Sequence, residues 1–154
     1  MTNNTVRHTI LVVDDDLMNT EMLSVILAAD YNVLKAQSGA EALELLATEQ
    51  PDLLLVDVVM PEMDGFDLCV KIRELPGLEE IPFIFLTCMA EQKDEVRGLA
   101  LGAADYITKP YNPDLVRLRV RNHLLLKVRL DKLSDDILER KKKEEVISIL
   151  AAFC

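Results

Sequence analysis

The chain switches between two hydrophobic periods five times over, and that alternation limits its possible folds more than any other feature. The first β-branched run, TILVV from Thr9, ends abruptly in Asp14, Asp15 and Asp16, as a buried parallel strand does where it emerges at a sheet edge. Met18, Met22, Val25 and Ile26 then recur at helical spacing. A second short strand is expected around Asn32 to Lys35, followed by a helical stretch with Ala40, Leu43, Leu46 and Ala47 on one face. The pattern continues with DLLLVD from Asp52, a helix with Leu68, Ile72 and Leu75 inward, and PFIFLT from Pro82. A helix carrying Val96, Leu99 and Ala100 and the strand ADYI from Ala104 complete five βα units. Gly102 falls where the fourth helix should stop, and Pro51 and Pro82 each precede a strand. Such alternation predicts an α/β fold, a doubly wound (βα)5 unit with a five-stranded parallel sheet and helices on both faces.

The fifth helix is expected to begin near Pro113 and to outrun the domain, since neither Gly nor Pro occurs between Asp114 and Cys154. Residues 1–123 are read as the globular domain and 124–154 as a helical extension. Leu126, Leu130, Leu133 and Ile137 step by four, three and four, a short coiled-coil-like seam, before the charged run ERKKKEE. Two heptads leave two readings open: a dimerising seam, or a stripe that packs back on its own domain.

A length of 154 residues supports one hydrophobic core and does not promise two. The net charge of -10 disfavours a nucleic-acid surface spread over the domain, because phosphate contacts need clustered Lys and Arg. Cys69, Cys88 and Cys154 are too widely spaced for a zinc site or a disulfide framework. That cysteine pattern fits a reducing, cytoplasmic setting, and the apolar run near the N-terminus, too short for a membrane span or a signal segment, is read as a short arm leading into a strand.

In a doubly wound sheet the ligand site lies beyond the carboxyl ends of the strands. Strand one ends in Asp14, Asp15 and Asp16, strand three in Asp57, strand four in Thr87, and Lys109 follows strand five. Each has an ordinary explanation taken singly: Asp caps helices, Thr favours strands and Lys is usually solvated. Together, converging carboxylates repel unless a cation sits between them. Hard oxygen ligands without His or Cys select Mg²⁺. A carboxylate held there can act as nucleophile toward a phosphoryl group, with Lys109 neutralising the transferring oxygens.

With those residues in view, LVVDDD from Leu11, DVVMPEMDG from Asp57, FLT ending at Thr87 and GAADYITKP from Gly102 resemble the signature of response regulator receiver domains. The resemblance spans about Thr9 to His123. It implies a flavodoxin-like sheet order of 2-1-3-4-5, with Asp57 as phospho-acceptor and Asp14 and Asp15 as the acidic pair. It also implies the backbone carbonyl of Val59 as a further ligand to Mg²⁺ (or Mn²⁺), Lys109 pairing with the phosphoryl group, and a cis peptide between Lys109 and Pro110. Thr87 would be the hydroxyl that moves toward the phosphoryl group, and Tyr106 the aromatic that repacks in response. The implied donor is a sensor histidine kinase or a phosphotransfer protein. The chain would then be a signalling domain and not an enzyme, homodimeric through the helix four, strand five, helix five face or the C-terminal helix.

Val59 and Met89 stand two positions after the acceptor and after the switch Thr, where a polar side chain would orient an attacking water; their apolar character predicts slow phosphate loss. Cys88, where most relatives carry Ala or Gly, is read as a small buried hydrophobe. His8 and His123 receive no role. The long fifth helix resembles the linker to an output module, with cyclic-dinucleotide turnover the leading candidate and a stand-alone regulator acting by protein contact the alternative. ISILAAFC at the end reads as a helix cut off or docked on a partner. A flavodoxin-like cofactor binder would need a Gly- and Ser/Thr-rich phosphate loop in place of DDDLMN. A haloacid-dehalogenase-type phosphatase would place its nucleophile at the end of strand one in a D-x-D pattern.

Overall fold

The computed structural model describes residues 7–88 and 92–152. In chain order the elements are β1 (Thr9–Val13), α1 (Leu17–Leu27), β2 (Asn32–Ala36), α2 (Gly39–Leu46) and β3 (Leu53–Asp57). They continue with α3 (Gly65–Arg73), β4 (Phe83–Thr87), α4 (Gln92–Ala100), β5 (Asp105–Thr108) and α5 (Pro113–Ala152). The strands form one parallel sheet in the order β2-β1-β3-β4-β5, as expected.

Because successive strand residues point to opposite faces, each strand feeds two cores. Leu11, Val13, Leu54, Val56, Phe83 and Phe85 pack under α2 and α3. Ile10, Val12, Leu53, Leu55, Ile84 and Leu86 pack under α1 and α5, joined by Leu23, Val116 and Val120. All five residues of both β3 and β4 are buried, as expected of central strands covered on both faces.

Polar side chains start four of the helices. Asp16 accepts from the Met18 N–H at 2.9 Å, Asp64 from Asp67 at 2.8 Å, and Asn112 from Asp114 at 3.0 Å. Ser38 accepts from Glu41 at 3.1 Å while the Glu41 carboxylate reaches back to the Gln37 N–H at 3.2 Å, so a second orphan N–H at that helix end is satisfied too. Gly102, two residues past α4, has φ +83°, a left-handed conformation that suits a helix stop.

The helical stripes are only partly as the periodicity suggests. Leu68 and Ile72 are buried on α3 with Leu75 packed beside them. On α1, however, Met18, Met22 and Val25 are exposed, and Thr20, Leu23, Ile26 and Leu27 face the sheet. The Thr20 hydroxyl satisfies itself on the Leu17 carbonyl at 3.0 Å, which lets a polar residue take an inward position. Val96 and Leu99 of α4 are exposed as well. Ala40 and Ala47 are also exposed, and Ala42 takes the inward place on α2. On α5 only Val116, Val120 and Leu124 are buried, and every described residue from Val128 onward is exposed. No helix among the described residues is long and apolar enough to cross a membrane.

Candidate functional site

The parallel order brings the carboxyl ends of β1, β3, β4 and β5 to one edge of the sheet, and the residues at or just after those ends form a buried polar cluster. Asp14 is fully buried, Asp57 is 5% exposed and Thr87 is 7% exposed. The Lys109 ammonium lies 3.1 Å from Asp14 Oδ2 and 3.2 Å from Asp57 Oδ2, bridging the two carboxylates. Lys109 is held there by its own backbone, since its N–H donates to the Thr87 carbonyl at 2.7 Å. The peptide between Lys109 and Pro110 is cis, as the resemblance implied.

Asp14 Oδ1 accepts from the Asp16 N–H at 2.9 Å, which fixes the carboxylate's orientation. Its Oδ2 is buried and receives no hydrogen bond of good geometry, Lys109 being its close charged neighbour. Asp15 is exposed, yet carboxylate oxygens of Asp14, Asp15 and Asp57 all come within 4.8 Å of one another. This all-oxygen donor set, with an under-satisfied buried oxygen, fits a hard divalent cation such as Mg²⁺. The Val59 N–H donates weakly to Asp57 Oδ1 at 3.4 Å, and the Val59 side chain is 76% exposed at the mouth of the site.

Burial and the nearby Asp14 charge push the Asp57 carboxyl up to about 6, with Lys109 pulling the other way. Burial acts to lower the Lys109 pKa, but the charges of Asp57 and Asp14 outweigh it and raise it. Asp57 thus titrates closer to neutral pH than a free carboxyl, beside a cation that stays charged. The raised Asp57 pKa has a measurable consequence when divalent ions are chelated. Stability from protonating Asp57 is present in full below its ordinary pKa of 3.8 and is lost as pH rises through about 6. Asp105, whose pKa is lowered, acts oppositely and only below the ordinary carboxylate range. Mg²⁺ seated among the ionised carboxylates would therefore raise the melting temperature more at about pH 8 than at about pH 5. Scanning fluorimetry at both values checks this, and equal shifts would contradict it.

Tyr106 leans on Phe85 with ring centroids 5.8 Å apart, and its hydroxyl occupies the space a side chain on Gly98 would fill, 1.6 Å from an ideal Cβ. Gly98 thereby keeps a slot open on α4 for the ring. Met89, expected to flank the site, lies outside the described residues. Cys88 is exposed and not buried: it is the first residue past β4, where the backbone has left the sheet. Sequence reasoning missed Tyr111, whose buried hydroxyl lies close to the Asp14 carboxylate but makes no hydrogen bond of good geometry among the described residues. Burial, then the charges of Asp14, Asp57 and Cys88, raise its pKa, so it stays protonated beside the acids. Its only signal was its place two residues after Lys109. His123 and Arg119 also gain partners, both bonding Asp105, with His123 Nε2 at 3.0 Å.

Comparison with known proteins agrees with this geometry. Residues 10–121 match the response regulator receiver domain family. A probable cyclic di-GMP phosphodiesterase of Vibrio cholerae is 46% identical over 116 residues, covering 75% of this chain and 26% of that protein. Response regulator PleD of Caulobacter vibrioides is 39% identical over 125 residues, covering 80% and 28%. This chain thus spans about a quarter of the length of those two relatives. Among solved structures, a putative response regulator from Chloroflexus aurantiacus superimposes with a TM-score of 0.73 at 39% identity, covering 78% of this chain and 99% of that one. A CheY-like receiver domain protein from Methanospirillum hungatei gives 0.75 at 30% identity, covering 80% and 98%. On sequence, fold and the match across most of its length, this chain belongs to the response regulator receiver domain family of two-component systems.

Proposed function

We propose that this chain accepts a phosphoryl group on Asp57 from a sensor histidine kinase or a phosphotransfer protein, and that the resulting aspartyl phosphate is the signal. The observation that carries this reading is the buried Asp57 carboxylate, with its raised pKa, sharing Lys109 with Asp14. Asp14, Asp15, Asp57 and the Val59 carbonyl would hold Mg²⁺ or Mn²⁺. Such an ion, when bound, neutralises the acids and polarises the phosphoryl oxygens. An Asp57 oxygen attacks phosphorus as the bond to the donor nitrogen breaks, and the Lys109 ammonium stabilises charge on the oxygens in transit. The exposed apolar side chains of Leu17, Met18, Met22 and Val25 on α1 lie beside these strand ends and suit the packing of a donor helix.

Thr87 then donates to a phosphoryl oxygen, and Tyr106 repacks along β5 between α4 and α5. The message leaves through α5, in a homodimer or toward an output module. Cyclic-dinucleotide turnover leads among outputs because a similar receiver forms part of a probable cyclic di-GMP phosphodiesterase. The boundary near residue 123 is proposed as the limit of the domain proper, and the chain as a cytoplasmic one.

Intact mass after acetyl phosphate and Mg²⁺ tests the reading, with Asp57→Asn as control. One added phosphoryl group on the parent and none on the variant is expected; none on the parent removes the proposal. Val59 and Met89 offer water no polar partner, so the phosphorylated state should persist. Val59→Asn is expected to speed phosphate loss about tenfold, followed as decay of the phosphorylated mass. An unchanged rate would place water control elsewhere.

A further inference from the structure

We propose that the projecting part of α5 is one strand of a parallel, in-register, two-stranded coiled coil made with a second copy of this chain. This rests on the homodimer of the reading above and specifies its seam, orientation and register.

The helix has 40 residues, yet its last buried side chain is Leu124. Beyond it the helix continues through more than two dozen described residues, about 40 Å, of which only the first few, up to Asp131, line a cleft with the domain. A helix of this kind draws its stability from packing an apolar stripe, and α5 carries one that the described residues leave largely uncovered. Leu126, Leu130, Leu133 and Ile137 are 51%, 54%, 57% and 54% exposed. The four-three spacing continues through Arg140 and Glu144 to Ile147, itself 65% exposed, and Ala151. Leu126 and Leu130 also line a cleft of about 650 Å³ beneath the domain, with Leu78, Ile81 and Pro82 opposite, so part of the stripe does face its own domain. From Leu133 onward no described residue of the domain lines it.

Charge complementarity along the flanks of the seam argues for a second copy as the occupant, lying parallel and in register. In a parallel pair, each residue preceding an upper seam position faces the partner residue five further along. Three such pairings fall within the projecting helix: Arg129 with Ser134, Asp136 with Lys141, and Lys143 with Ser148. The one doubly charged pairing is attractive and occurs twice by symmetry. Sliding the partner by one heptad loses it and sets Lys141 against Arg129 in one direction or Lys143 in the other. In register, the charged break sets Arg140 beside Arg140 and Glu144 beside Glu144 of the other copy, so this stretch weakens the seam and the apolar layers on either side of it carry the pairing. The buried face of Val116, Val120 and Leu124 lies on another side of the helix, so the seam leaves it undisturbed.

Asp136→Lys and Lys141→Asp, both at exposed positions, test this in the full chain by sedimentation, with and without acetyl phosphate and Mg²⁺. Each variant alone sets like charges together twice and is expected to weaken dimerisation about tenfold. An equimolar mixture restores both attractions and is expected to form the heterodimer with the parent's affinity. Circular dichroism of each variant verifies that the helix is intact. A parent that stays monomeric in both states, Lys141→Asp dimerising like the parent, or a mixture without heterodimer would overturn the proposal. Intact mass on the same samples reads phosphoryl uptake separately: dimerisation with the expected charge pattern but no uptake would remove the phospho-acceptor reading and support the stalk.

Discussion

Replacing Lys109 with Met is expected to slow phosphoryl uptake about 100-fold, the loss seen when a preorganised charge is removed from a transferring group. The same change should destabilise the metal-free protein by about 3 kcal/mol at neutral pH, as removing one partner of a buried ionic cluster does. Both effects follow from one geometry. The ammonium sits 3.1 Å from Asp14 and 3.2 Å from Asp57, and neither carboxylate is open to bulk water. Without it, two acids face each other with no counter-charge. The stability cost has a definite pH sign, because Asp57 with a pKa pushed up to about 6 takes a proton as pH falls and relieves the repulsion. Removing Lys109, which holds that pKa down, raises it further, so the penalty should be largest at alkaline pH, shrink as pH falls, and shrink also when Mg²⁺ is added. Urea unfolding in chelator at several pH values, with uptake followed by mass, measures both. A variant with parental uptake would show that Lys109 takes no part in the transfer.

Gly65→Ala is expected to cost about 3 kcal/mol and to depress phosphoryl uptake with it. A Cβ on Gly65 would lie 2.3 Å from the Asp57 carbonyl oxygen, 3.0 Å from its carbon and 3.1 Å from the Val58 Cα. These are backbone atoms, so no rotamer change relieves the clash, and the segment that carries the acceptor must shift. The Gly65 N–H also donates to the Val58 carbonyl at 2.9 Å, tying the start of α3 to the residue after Asp57. Thermal unfolding and uptake of the variant check this, and a parental melting temperature would contradict the close approach.

The sheet was legible because alternation of period two and period 3.6 has few solutions, and the site followed because a parallel sheet collects its strand ends on one edge. Less could be read where a helix offers more than one stripe. Met18, Met22 and Val25 have as good a spacing as Thr20, Leu23 and Leu27, and only the Thr20 hydroxyl bonding back to Leu17 makes the second set buriable. Periodicity cannot see that bond in advance. Gly98 was invisible for the opposite reason: what matters there is the missing Cβ that lets Tyr106 approach. Cys88 was misplaced by a single residue of strand length. Tyr111 and the Asp105, Arg119 and His123 cluster depend on contacts between β5 and the segments after it, which no local pattern encodes.

The acceptor's identity is tested most directly by trapping. An aspartyl phosphate is an acyl phosphate, which borohydride reduces to homoserine while leaving free carboxylates intact. Protein treated with acetyl phosphate and Mg²⁺, reduced and mapped by peptide mass spectrometry should carry homoserine at position 57 and nowhere else, and none when the metal is chelated. Homoserine at Asp14 or Asp15, or its absence from every aspartate under phosphorylating conditions, would contradict the account.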